Sequence, residues 1–98
     1  MNTLFQDDEK DLIRRMDRFD SVISEYLRKN RKTVEYLAQK VGISPASLWR
    51  YRTQAAAFRK APLEAICICM RLANVSNENL RYILGLPTGK REEWPNEN

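Results

Sequence analysis

A chain of 98 residues suffices for one compact domain, and 43% apolar with 31% charged residues is a globular balance, not a collagenous, linker-like or disordered one. Histidine is absent, which excludes Ser-His and Cys-His nucleophile pairs, and two cysteines without a histidine make a poor metal site. No Gly-rich phosphate loop or membrane-length apolar run occurs, and the acidic Gln6-Asp7-Asp8-Glu9 is unlike a signal peptide, so the expectation is a cytoplasmic non-enzyme with no cofactor, metal or small-molecule substrate.

The apolar residues Leu12, Met16, Phe19, Ile23 and Tyr26 recur at alternating steps of four and three, with Ile13, Val22 and Leu27 widening the stripe. This predicts one long helix from Asp7 or Asp8, whose carboxylates suit its start, to about Lys29; Asp20-Ser21 is the place where a break is allowed. Thr33 suits the N-cap of a short second helix from Val34 to Val41, and Gly42 can take the left-handed conformation that ends one. Ser44-Pro45 restarts a helix at once, Ser as N-cap and Pro at the first helical position, to run to Arg52 or Thr53.

From Thr53 to Ala61 the pattern reads as a connection, with Ala55-Ala56-Ala57 suited to a helical extension. Pro62 opens a fourth helix reaching about Ala73, apolar almost all round, with only Glu64 and Arg71 charged. Such a helix is either central to the core or partly covered by a second subunit. Cys67 and Cys69 lie in it, too close for a disulfide within a helix, and read as small core hydrophobes. Ser76 or Asn77 opens a fifth helix, closed by Gly85 and Pro87, and the remaining tail has no periodicity. The expectation is therefore all-α, a five-helix domain over 1–87 with a C-terminal tail over 88–98.

Charge is unevenly spread along this chain. Between Arg28 and Lys60 nine basic residues face one acid, Glu35, a net +8, whereas the remainder holds eight basic residues and twelve acids, a net −4. A compact domain with a basic middle and acidic ends projects a one-sided positive field, the electrostatic footprint of a polyanion binder.

The two short helices and the turn between them meet the steric demands of a helix-turn-helix corner. Ala38 is small where the helices approach, Gly42 supplies the positive φ, and Leu37, Val41, Ile43, Leu48 and Tyr51 supply the inner apolar surface. The stretch TVEYLAQKVGISPASLWRYR, Thr33 to Arg52, resembles the helix-turn-helix of lambda repressor and Cro, and RLANVSNENLRYILG resembles the rest of that five-helix domain. The resemblance covers about residues 20 to 85 and implies a sequence-specific transcriptional regulator of phage or prophage type, a repressor in the main, that binds double-stranded operator DNA as a homodimer. Lys32 stands where that family has an apolar residue, the connection after the third helix is longer and lacks the usual Asn-Gly, and the first helix is extended.

With Leu48 and Tyr51 inward, Ala46, Trp49, Arg50 and Thr53 form the opposite stripe of the third helix, and with Ser44 and Ser47 at its start they would face the major groove. Arg50 matches the two acceptors of guanine, the alternative being a charge that touches phosphate alone. Trp49 either covers a thymine methyl or sugar or is a half-buried core residue. Arg31, Lys32, Thr33, Arg52, Arg59 and Lys60 are the expected phosphate contacts, with the second helix N-terminus offering free N–H groups beside Thr33. A different class of function, an antitoxin or anti-regulator that binds a partner protein with DNA binding secondary or absent, fits the long first and apolar fourth helices.

Overall fold

The computed structural model describes residues 9–87. The first helix, α1, spans Glu9–Asn30 without interruption, so the Asp20-Ser21 step stays helical. Leu12, Met16, Phe19 and Ile23 are buried, and Val22, Tyr26 and Leu27 pack partly against them. Ile13 was expected to widen the same stripe but remains 39% exposed, because a turn of about 100° per residue carries it off the buried face. The expected caps Asp7 and Asp8, and the tail 88–98, lie outside the described residues.

α1 ends through an unusual residue. Arg31 takes φ 55°, the left-handed region, and Lys32 N–H reaches back to Leu27 O at 2.9 Å to close the last turn. Glycine is the common occupant of such a position. The next two helices, α2 over Val34–Val41 and α3 over Pro45–Thr53, have the bounds their caps predict. Thr33 Oγ1 accepts from Tyr36 N–H at 3.0 Å, and Ser44 Oγ accepts from Ser47 N–H at 3.0 Å. Each bond satisfies one of the N–H groups that a helix start leaves without an intrahelical partner.

Gly42 ends α2 with φ 90°, and a Cβ built there would meet no atom within 4 Å, so the demand is conformational and not spatial. Ala38, Leu37 and Leu48 are fully buried in the α2–α3 corner, with Val41, Ile43 and Tyr51 packed partly around them.

The expected count of five helices is corrected to six among the described residues. Gln54 has extended backbone, φ −121° and ψ 114°, and separates α3 from a one-turn helix α4, Ala55–Arg59. The three alanines favour helix, but the direction is set by Phe58. The bend brings its ring to 5.5 Å from that of Phe19 on α1, where it is only 6% exposed. A tertiary contact has overridden a straight extension of α3.

α5, Leu63–Leu72, buries Ala65, Ile66, Cys69 and Met70 but leaves Leu63 65% and Leu72 38% exposed. It is therefore a core helix on one side only. Both thiols are free, and burial pushes that of Cys69 up to about 12, against a smaller opposing pull from the Arg52 guanidinium. Ser76 caps α6, Asn77–Leu84, which ends at Gly85 with φ 79°. Arg15 Nη1 donates to Ile83 O at 2.8 Å and ties α6 to α1. α1 is the element around which the rest is arranged, in contact with α3, α4, α5 and α6, while α2 packs on α3 and α5. Among the described residues there is no strand, and no helix is long and apolar enough to cross a membrane.

Candidate nucleic-acid interface

The outward face of α3 is a direct consequence of its inward one. Leu48 is fully buried and Tyr51 packs against the core, so the helical period turns Ala46, Trp49, Arg50 and Thr53 to the surface, where all four are exposed. Trp49 is 55% exposed, which removes it from the core. An indole left so far out on a short helix is a large apolar surface without an internal use.

Polar side chains on this face are held in a chain of hydrogen bonds. Ser44 Oγ lies 3.0 Å from Ser47 Oγ and donates to it, while also accepting the Ser47 N–H. Arg50 Nη2 donates to the same Ser47 Oγ at 3.2 Å. Thr53 Oγ1 donates to Trp49 O at 2.8 Å. The guanidinium of Arg50 is thus restrained by one arm, with its remaining donors available. α3 itself contains no acidic residue.

The expected phosphate contacts fall into three groups. Arg31, Lys32 and Thr33 are exposed together at the α1–α2 junction, beside the N-terminus of α2. Arg59 and Lys60 are exposed where α4 turns into α5. Arg59 lines a small cavity with Arg15 of α1, a level about 24 Å along the α1 axis from Arg31 at the helical rise of 1.5 Å per residue. The two groups therefore bracket α3 from opposite ends of the long helix.

Arg52, the third, is not brought to that surface. Its side chain is only 16% exposed, and Nε donates to Asp20 Oδ1 at 2.6 Å while Nη2 donates to Ser24 Oγ at 3.0 Å. Asp20 and Ser24 are one turn apart on α1, so Arg52 bolts the end of α3 to the middle of α1. Asp20→Ala should lower unfolding free energy by about 1–2 kcal/mol, a hydrogen-bonded charge pair discounted for the 40% exposure of the carboxylate. Urea denaturation measures this directly; an unchanged midpoint would mean the pair is incidental.

Tyr36, which sequence reasoning passed over, and Lys40, counted there only as part of the basic stretch, join the basic patch. Tyr36 of α2 has the Lys32 ammonium 4.4 Å and the Lys40 ammonium 5.5 Å from its ring centroid. The ring face, negative at its centre, holds two cations that would otherwise repel. The signal was present in the spacing, since Lys32, Tyr36 and Lys40 recur every four residues. Asp20 and Ser24 gave no comparable signal. No family model, curated protein or solved structure matches the chain.

Proposed function

We propose that this protein is a cytoplasmic, sequence-specific double-stranded DNA-binding regulator of the lambda-repressor and Cro type, a repressor of phage or prophage origin. In this reading α3 lies in the major groove. Arg31, Lys32, Thr33 and Lys40 meet phosphates on one side of it and Arg59 and Lys60 on the other. The observation that carries the reading is the outward face of α3: an exposed indole and a restrained guanidinium, no acid on the same helix, and exposed basic groups at two levels along α1.

One recognition helix reads only a few base pairs, so useful specificity calls for two copies on half-sites about one helical turn apart. The exposed side of α5, with Leu63 and Leu72 at its opposite margins, together with α6 is the candidate contact between copies, and the long α1 is the alternative. Selection of bound duplexes from a random library tests the whole reading. The expected product is an enriched sequence with two related half-sites; a partner-protein module predicts no enrichment and no discrete shifted band.

Arg50→Ala should weaken binding to the enriched duplex by about 1–3 kcal/mol and relax preference at one base position. Binding titrations on single-base variants of the duplex measure both effects. A loss of equal size on every sequence would assign Arg50 to the backbone.

A further inference from the structure

The groups on the outer face of α3 are restrictive about which bases they can read. In the major groove guanine offers two acceptors and thymine offers an acceptor and a methyl group, whereas adenine and cytosine each present an amino donor that needs an acceptor. The usual acceptors are Asn or Gln for adenine and Asp or Glu for cytosine. α3 has none of these, and Gln54 lies past its end on extended backbone. Serine hydroxyls could accept, but Ser47 Oγ has both lone pairs taken, and Ser44, whose Oγ has one of its two taken, sits at the N-cap ahead of the outward stripe. Ser44 Oγ takes the Ser47 N–H, and Ser47 Oγ takes both the Ser44 hydroxyl and Arg50 Nη2. The Thr53 hydroxyl is turned back to Trp49 O, which leaves the threonine methyl as its outward group.

What remains is one fork of donors set among apolar groups: the Arg50 guanidinium between the methyl of Ala46, the indole of Trp49 and the methyl of Thr53. We infer that the half-site is a guanine flanked by thymines, with Arg50 on the guanine and the three apolar groups against thymine methyls. The inference rests on the DNA-binding reading above and specifies its ligand. Ala46 and Thr53 lie four and three residues from Arg50, a rise of about 6 and 4.5 Å along the helix, so the thymines fall within about two base pairs of the guanine.

The experiment uses the intact protein and the duplex enriched from a random library, in versions carrying single base analogues. Replacing the central guanine with 7-deazaguanine deletes one acceptor and should weaken binding by about 10-fold or more. Replacing a flanking thymine with uracil deletes one methyl and should weaken it by about three- to fourfold, the transfer value of one methyl group. Crossing the analogues with variants separates direct contacts from general damage. Arg50→Ala, which removes the donors, should abolish the 7-deazaguanine effect, and Trp49→Ala should abolish the uracil effect at one thymine. An enriched duplex in which these replacements are neutral, or whose half-site is read through adenine or cytosine, overturns the inference and leaves DNA binding intact. Absence of any enriched duplex overturns both.

Discussion

Raising the salt concentration from 50 to 200 mM should weaken binding to the enriched duplex by about 10³–10⁵, as expected for a dimer that neutralises roughly 6–10 phosphates. The stretch from Arg28 to Lys60 carries a net +8, and Arg31, Lys32, Lys40, Arg59 and Lys60 in it are exposed around α3. Each phosphate contact releases condensed counterions from the duplex, and added salt makes that release less favourable. Lys60→Ala should therefore make the slope of log affinity against log salt shallower by about 0.9 for each phosphate left unneutralised, on specific and random duplexes alike. Arg52 behaves differently: its charge is matched within the fold by Asp20, so it adds little to the slope. Fluorescence anisotropy over a salt series reads all of this. A flat titration, weak even at 50 mM, would leave the basic surface as a solvated one and remove the DNA-binding reading.

Phe19→Ala should destabilise the fold by about 3–5 kcal/mol, the range for truncating a fully buried phenylalanine. Phe19 is 0% exposed in the middle of α1, and its ring meets that of Phe58 at 5.5 Å. The cavity left behind would have walls from two helices that the ring pair now holds at a fixed angle. In a domain whose total stability is on the order of 5–15 kcal/mol, such a loss removes about a fifth of it or more. Thermal denaturation followed by circular dichroism should show a much lower midpoint. Ile13→Ala, on the same helix but 39% exposed, should cost far less. Equal losses for the two variants would contradict the placement of the core.

What could be read from the sequence divides along the range of the interactions involved. Thr33, Ser44 and Ser76 announced helix starts because a cap is made within three residues, and Gly42 announced an end because its φ is a local demand. The outward face of α3 followed from Leu48 and Tyr51 by helical period alone. The bend at Gln54 did not, because its cause is Phe58 meeting Phe19, thirty-nine positions earlier in the chain. Arg52 was misdirected toward phosphate for the same reason: its partners Asp20 and Ser24 lie on another helix, and an arginine on a basic stretch gives no sign that it turns inward. Trp49 stood between two uses that only exposure could separate.

The left-handed Arg31 has a consequence for how freely this protein can be improved as a folded object. An L-residue with a side chain holds that conformation at a cost of about 1–2 kcal/mol, which glycine escapes, although glycine also loosens the unfolded chain. Arg31→Gly should therefore gain a net of about 0.5–1 kcal/mol and raise the melting midpoint by a few degrees, while removing a cation from the edge of the basic surface. Affinity for specific and random duplexes should drop by the same factor in that variant. On the DNA-binding reading, stability and grip on a polyanion are thus in opposition at a single backbone angle. Selection for thermal resistance alone would drift toward glycine at this position, and variants recovered from such a screen should be stable, well folded and poor at holding DNA.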